Sequence, residues 1–77
     1  MIIKIKLLNG QFKTIELNPS DKILKLKEIL EESEGISPDQ QRLIFGGKQL
    51  QENKSFEEHK IKDGAQISLL LALTGGF

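Results

Sequence analysis

Apolar and polar residues alternate at the start of the chain. Met1, Ile3, Ile5 and Leu7 share one parity, and lysines occupy positions of the other parity. This period of two predicts a half-buried β-strand whose odd positions point inward. The Asn9-Gly10 pair that follows is a strong signal for a tight hairpin turn. The chain is therefore expected to begin with a β-hairpin.

The return strand of this hairpin is predicted over residues 11–17. Ile15 and Leu17 would point inward, whereas Phe12 and Lys13 have the parity opposite to this scheme. Such a mismatch is tolerated near the end of a hairpin and is also compatible with a β-bulge.

A helical period replaces the alternation after Pro19. Ser20 or Asp21 has a side chain suited to an N-cap, and Gly35 is suited to the left-handed residue that ends a helix. The residues that recur at helical spacing between them are Ile23, Leu26, Lys27 and Leu30. The sequence therefore predicts one main helix with this inward stripe.

The second half of the chain returns to strand-like patterns. A turn at residues 37–39 precedes a strand in which Gln41 and Leu43 have the inward parity and Ile44 the outward parity. A short strand is predicted at residues 48–50.

Two further elements complete the pattern. Residues 53–59 are polar apart from Phe56, which predicts a short helical turn anchored by one aromatic side chain. The last strand is predicted over residues 66–73. The residues at its inward parity are Ile67, Leu69, Leu71 and Leu73.

Strands on both sides of one helix predict the fold class. A chain of 77 residues forms one domain. We expect an α+β domain in which a mixed sheet packs on one main helix, with a short helical turn in addition.

Composition narrows the possible partners. Eleven basic residues balance eleven acidic ones, which argues against a surface for nucleic acid or an anionic membrane. The absence of cysteine excludes a disulfide framework and fits a reducing compartment. The start of the chain lacks the long apolar stretch of a signal peptide, and no apolar run is long enough for a membrane span.

The chain offers little for catalysis. His59 is the only histidine, so a two-histidine metal site is excluded. The Gly46-Gly47 pair lacks the lysine and hydroxyl residue of a phosphate-binding loop. Function is therefore expected in surfaces, and an enzyme is the least favoured class.

One candidate surface follows from strand parity. If Leu43 and Leu69 face the core, Ile44 and Leu70 face solvent, and Leu8 lies at a hairpin tip. Apolar residues on neighbouring strands would form a contiguous patch, which is typical of partner-binding sites. Parity alone leaves open whether they are neighbours or scattered surface residues.

The chain resembles ubiquitin over residues 1–76. The resemblance rests on the Gly35-Ile36 helix exit, the DQQRLIF run at residues 39–45, the GKQL turn at 47–50 and the Gly75-Gly76 end. It implies the β-grasp fold and a protein modifier that needs no cofactor. In this family an activating enzyme adenylates the terminal glycine carboxylate, which passes as a thioester to a conjugating enzyme and then to a target lysine.

The resemblance also implies how the chain is divided. Residues 1–72 would form the domain, and residues 73–77 a flexible conjugation tail. Gly76 would be the reacting residue, and Gly75 its slender neighbour in the narrow channel of the activating enzyme. Phe77 would be an extension that a processing protease removes.

Several positions resemble the cullin-modifying Nedd/Rub type rather than ubiquitin itself. They are Lys4, Lys22, Glu28, Glu31, Glu32, Gly64 and Ala72. Activating enzymes of the family discriminate at position 72, where ubiquitin has arginine. Ala72 therefore implies the Nedd-type activating enzyme, because alanine fits where arginine is repelled. Asp39, Phe45 and Leu50, in contrast, resemble ubiquitin. Thr74 departs from both, because each has arginine there.

Further site residues are implied by position. The main hydrophobic patch of the family corresponds to Leu8, Ile44, Ser68 and Leu70, with Ser68 in place of a histidine. A second patch corresponds to Leu8, Ile36, Leu71 and Leu73. Gln40 corresponds to a glutamine that supports cullin activation. Lys48 and Lys27 correspond to chain-linkage lysines, and Lys27 would be buried and paired with Glu52.

The resemblance implies a monomeric modifier of the cytoplasm and nucleus. Its partners would be the activating and conjugating enzymes, ligases, cullin-type targets, and processing and deconjugating proteases, with no nucleic acid or membrane. The alternatives are a divergent ubiquitin and a non-conjugated ubiquitin-like binding module. The Gly75-Gly76 end favours conjugation, since a docking module needs no free glycine carboxylate.

Overall fold

A five-stranded mixed sheet and one α-helix make up the fold. The computed structural model of the chain describes residues 1–72. Its elements are β1 (Ile2–Lys6), β2 (Phe12–Glu16), α1 (Ile23–Glu34), a 3-10 helix (Pro38–Gln40), β3 (Gln41–Phe45), β4 (Lys48–Gln49) and β5 (Gln66–Leu71). The strand order is β2-β1-β5-β3-β4, with β1 and β5 parallel and the other pairs antiparallel. The predicted α+β class is confirmed. Neither helix in the described part of the chain is long and apolar enough to cross a membrane.

Helix α1 buries the predicted stripe against the sheet. Ile23, Leu26 and Leu30 are fully buried, and Lys27 is buried with them. They form one core cluster with the inward residues of the strands. The helix ends as expected at Gly35, which has a φ of 74° and donates its backbone N–H to Glu31 O. The stripe and the stop predicted for the helix are therefore confirmed.

The predicted N-cap is wrong. The residue before the helix is Lys22, which makes no side-chain capping bond. The first N–H groups of the helix are satisfied by a distant loop instead, since Ile23 N–H donates to Lys54 O at 2.9 Å and Leu24 N–H to Glu52 O at 3.1 Å. Backbone carbonyls from tertiary structure thus replace the expected side chain.

The Asp21 side chain bonds to the turn before the helix instead of capping the helix. Its Oδ2 accepts the backbone N–H of Asn18 at 2.8 Å. That hydrogen bond, with help from the nearby Lys25 ammonium, lowers the pKa of the Asp21 carboxyl. The carboxylate therefore fixes the turn before the helix rather than the helix end itself.

The segment at residues 53–59, predicted as a short helical turn, forms a single turn rather than a regular helix, and His59 N–H donates to Ser55 O at 3.2 Å. The 3-10 helix lies at Pro38–Gln40, where only a turn was expected. The polar groups of residues 53–59 also bond to residues outside the segment. Phe56 N–H donates to Asp21 O at 3.1 Å, and His59 Nε2 accepts Gln51 N–H at 3.1 Å. Phe56 is fully buried, so its predicted role as the anchor of the segment is confirmed.

The β1–β2 ladder runs without a bulge. Ile5 pairs with Lys13 and Lys6 pairs with Phe12 in regular register. Lys13 therefore has the inward parity, and its Nζ reaches Glu34 Oε2 at 3.9 Å near the end of α1. A long lysine side chain at the edge of the core can pack its methylene groups inward and keep its ammonium group near solvent and an acidic partner. Lys13 can therefore occupy an inward position without a β-bulge in the ladder.

Strand β5 ends earlier than its apolar pattern indicates. Ile67 and Leu69 are buried as predicted, whereas Leu71 is 46% exposed, against the inward parity of its strand but in agreement with the second patch that the resemblance implied. Leu71 is the last residue of β5 and pairs with Gln41, the first residue of β3. It therefore lies at the margin of the sheet. Leu73 lies outside the described residues.

The register of β3 decides which of its residues belong to the core. Leu43 is fully buried, whereas its neighbour Ile44 is only partly buried on the other side of the strand. The predicted register is confirmed.

We expect Leu43→Ala and Ile44→Ala to differ sharply in stability. Leu43→Ala should lower the free energy of unfolding by about 2–5 kcal/mol, because it leaves a cavity in the core. Ile44→Ala should cost roughly 1 kcal/mol or less, because the side chain keeps partial contact with solvent. Urea unfolding followed by circular dichroism measures both. Greater destabilisation by Ile44→Ala would contradict this register.

Candidate interaction surface

The side of the sheet that faces away from α1 carries a row of side chains across all five strands. Phe12 pairs with Lys6, Lys6 with Ser68, Ser68 with Ile44, and Ile44 with Gln49. Because residues directly opposite in a ladder point to the same face, these five side chains form one continuous line. We call this side of the sheet the outward face.

The four residues of the expected main patch lie together on this face. Leu8 and Leu70 are 48% and 49% exposed, and both line a depression of about 220 Å³ that also includes Ser68. Ile44 lies directly opposite Ser68 across the β3–β5 ladder. The geometry therefore makes these residues neighbours rather than scattered surface side chains. We refer to Leu8, Ile44, Ser68 and Leu70 as the apolar patch.

Cations surround the apolar patch. Lys4 and Lys6 project outward from β1, and Arg42 projects outward from β3 opposite Leu70. Glu16 is the acidic residue at outward parity, and it lies at the far end of β2 opposite Ile2. A separate group of exposed acids lies on α1, namely Glu28, Glu31, Glu32 and Glu34. The neutral chain therefore has a basic outward face.

Two residues expected for the second patch share a neighbour. Ile36 and Leu71 both neighbour Gln41, since Ile36 O accepts Gln41 Nε2–H at 2.9 Å and Leu71 pairs with Gln41 in the sheet. Leu8 lines the depression beside Leu70 instead.

Ala72 and Gln40 meet at the end of the described chain. The backbone N–H of Ala72 donates to Gln40 O at 2.7 Å. Ala72 is half-buried, whereas Gln40 is exposed. The position expected to select the activating enzyme is thus fixed to the position expected to act on cullins. The conjugation residues Gly75 and Gly76, together with Thr74 and Phe77, lie outside the described residues.

The two expected linkage lysines have opposite environments. Lys27 is 6% exposed, and its Nζ lies 3.4 Å from Glu52 Oε2, as the resemblance implied. Lys48 is exposed on β4. The Lys48 amine is therefore accessible, whereas that of Lys27 is held within the fold.

Two residues of structural importance were missed or only partly foreseen. Gln41 was predicted to point inward, but its hydrogen bonds were not foreseen. Its Nε2 donates to Lys27 O and Ile36 O, which ties β3 to α1 and to the loop after it. Phe12 belongs to the outward row, and its unexpected parity was the signal that could have shown this. Within residues 1–72, no cluster of three or more histidine and acidic side chains is arranged to hold a metal ion.

Comparison with known proteins relates the chain to the ubiquitin family and to NEDD8-type proteins. The sequence model of the ubiquitin family matches residues 3–74. The chain is 51% identical over 76 residues to the ubiquitin-like protein NEDD8 of Dictyostelium discoideum, covering 99% of both chains.

Two fungal proteins are similar over the same length. The NEDD8-like protein RUB1 of Saccharomyces cerevisiae is 46% identical over 76 residues, covering 99% of both chains. Ubiquitin-like protein 1 of Schizosaccharomyces pombe is 45% identical over 76 residues, covering 99% of this chain and 97% of that protein. With its mixed sheet, its single long helix and relatives matched over their whole length, the chain belongs to the ubiquitin family and is a ubiquitin-like protein of the NEDD8/RUB type.

Proposed function

We propose that the chain is a protein modifier joined through the Gly76 carboxylate to lysines of target proteins such as cullins, and that it thereby regulates ubiquitin ligases. The observation that carries the proposal is the full-length relationship to NEDD8-type proteins in a chain that has Gly75-Gly76 and Ala72. Residues 73–77 would serve as the conjugation tail.

The contacts of Ala72 are compatible with a folded domain that carries a separate conjugation tail. The hydrogen bond between Ala72 N–H and Gln40 O holds the base of the tail against the domain. An activating enzyme that reads Ala72 would therefore meet it at a defined place beside the outward face. The apolar patch, on the same side of the sheet as Arg42, would contact the enzymes and ligases of the pathway.

The modifier itself would carry no catalytic group. The adenylation, thioester and transfer steps would belong to the activating enzyme, the conjugating enzyme and the ligases, and proteases would trim Phe77 and release the conjugates. We expect a modifier with these partners to act in the cytoplasm and nucleus. A non-conjugated binding module would use the same apolar patch but would need neither Gly75 nor Gly76.

One prediction of this proposal concerns maturation. The chain that ends at Phe77 should form no thioester with a purified Nedd-type activating enzyme and ATP, because its carboxylate belongs to the wrong residue. The chain that ends at Gly76 should form one, visible on a non-reducing gel and lost on addition of a thiol. A thioester of full-length chain that retains Phe77 by mass spectrometry would contradict the assignment of Gly76.

The second prediction concerns selection at position 72. Ala72→Arg in the Gly76-ending chain should increase charging by the ubiquitin activating enzyme at least tenfold, because arginine supplies the charge that enzyme recognises. Initial rates of thioester formation with each activating enzyme measure the effect. Ala72→Ser is the matched control, since it adds no charge. Equal rates for Ala72 and Ala72→Arg with both enzymes would exclude position 72 as the discriminator.

A further inference from the structure

The tip of the β1–β2 hairpin carries an asparagine followed directly by a glycine. Leu7 N–H donates to Gln11 O at 2.7 Å and Gly10 N–H donates to Leu7 O at 3.0 Å, and these two bonds close the turn. Gly10 has a φ of 85°, a conformation that residues with a side chain rarely adopt. The turn therefore requires a glycine directly after Asn9, and the proposed function makes no use of the chemistry of this pair.

The Asn9 side chain folds back over the peptide that follows it. Its Oδ1 accepts the backbone N–H of Gln11 at 3.0 Å, which is the hydrogen bond of an Asx turn. Its Nδ2 donates to Gln11 Oε1 at 3.4 Å. The side-chain carbonyl carbon, Cγ, is thereby held on the side of the Gly10 nitrogen, with which it can close a five-membered ring.

The peptide between these two residues is open to solvent. Asn9 and Gly10 are both exposed. Apart from Asn9 and Gln11, no atom lies within 4 Å of the point where a side chain on Gly10 would begin. No side chain therefore hinders ring closure at the Gly10 nitrogen. Because both reacting groups belong to one short segment, their reaction is far faster than that of separate molecules.

One contact at the tip favours this reaction and one opposes it. When the Gly10 nitrogen attacks Asn9 Cγ, negative charge develops on Oδ1, and the Gln11 N–H that already points at this oxygen stabilises the charge. The hydrogen bond from Gly10 N–H to Leu7 O must open before the nitrogen loses its proton. A single bond at an exposed hairpin tip opens far more readily than the whole domain unfolds. The reaction can therefore take place in the folded chain.

We propose that Asn9-Gly10 is a site of spontaneous deamidation in the native protein. The deprotonated Gly10 nitrogen attacks Asn9 Cγ, the bond from Cγ to Nδ2 breaks, and the released nitrogen takes up protons from solvent and leaves as ammonia. One water molecule then opens the succinimide at either carbonyl, which leaves aspartate or isoaspartate at position 9. The reaction needs only the chain and water, so the proposal does not depend on conjugation through Gly76.

The products would change the apolar patch. Gly10 and Leu8 line the same depression as Ser68 and Leu70, and Lys6 lines it as well. Both products place a new carboxylate beside this depression, which lowers the positive charge of the outward face. The isoaspartate product also brings the side-chain methylene group into the backbone, so the tight turn lengthens and Leu8 must move. Deamidation would thus alter the surface that the proposed function uses for docking.

The test is ageing of the full-length chain at several pH values between pH 6 and pH 8. Tryptic digestion at the lowest of these values and mass spectrometry then follow the peptides of residues 7–13, 14–22 and 49–54, which contain Asn9, Asn18 and Asn53. Asn18 and Asn53 are internal controls. Asn18 precedes a proline, whose nitrogen has no proton to lose, and Asn53 precedes a lysine.

We expect Asn9 to react at least tenfold faster than Asn53, and Asn18 to remain unchanged. The rate at Asn9 should rise nearly tenfold per pH unit, because the attacking species is the deprotonated nitrogen. Isoaspartate should appear as a product that an isoaspartyl methyltransferase labels. Asn9→Gln is the matched control variant, since it keeps the amide but lengthens the side chain, and it should slow the change in the peptide of residues 7–13 at least tenfold.

A second comparison tests the contribution of the fold. The rate at Asn9 in the native chain should lie within tenfold of that in a synthetic peptide of residues 7–13. In the isolated isoaspartate form, the amide signals of Leu8 and Ser68 in a ¹H–¹⁵N NMR spectrum should shift, whereas that of the core residue Leu43 should not.

Four outcomes would overturn the proposal. They are a rate at Asn9 no faster than at Asn53, a native rate more than tenfold below that of the peptide, a mass change that persists in Asn9→Gln, and unshifted Leu8 and Ser68 signals in the isoaspartate form. The second outcome would mean that the fold protects the pair. The third would assign the change to Gln11, the other amide in that peptide.

Discussion

The antiparallel pairing of β3 with β5 is the constraint on which the rest of the molecule depends. It puts Leu43 opposite Leu69 on the side of the helix and Ile44 opposite Ser68 on the side of solvent. A shift of one residue would exchange these two sets of side chains. The hydrophobic core and the interaction surface are therefore fixed by the same hydrogen bonds, and a change of register would disrupt both.

Buried polar contacts then hold the surface in place. The Gln41 amide donates to Lys27 O and Ile36 O, so the first residue of β3 is tied to α1 and to the loop after it. The loop that contains Glu52 and Lys54 satisfies the first N–H groups of α1 and pairs Glu52 with Lys27. These links make the base of the tail and the outward face parts of one scaffold. A modifier that several enzymes must read in turn needs such fixed geometry.

Sequence patterns predicted the parts of the fold that depend on period and on local backbone geometry. The helix stripe, the Gly35 stop and the registers of β1 and β3 follow from residues close together in the chain. The apolar patch was foreseen in its members, and the pairing of strands distant in sequence supplied their proximity.

The errors arose where tertiary contacts outweigh local preference. Carbonyls of a distant loop cap α1, so Asp21 was free to bind Asn18. The ion pair with Glu34 lets Lys13 keep the inward parity without a bulge. Strand parity alone would put Leu71 in the core, but its strand ends at the margin of the sheet and the side chain is exposed. In each case the outcome depends on residues that are distant in the sequence.

The proposed reaction joins the Gly76 carboxylate of this ubiquitin-family chain to a lysine of a cullin. The most direct measurement is mass spectrometry of a reconstituted reaction that contains the Gly76-ending chain, ATP, Nedd-type activating and conjugating enzymes and a cullin. Trypsin cuts after Lys62 and finds no later lysine or arginine, so a modified cullin lysine should carry residues 63–76 as a branch. We expect that branch on a cullin lysine. A chain that is charged and transferred to other proteins but never to the cullin, or that is never charged, would contradict it.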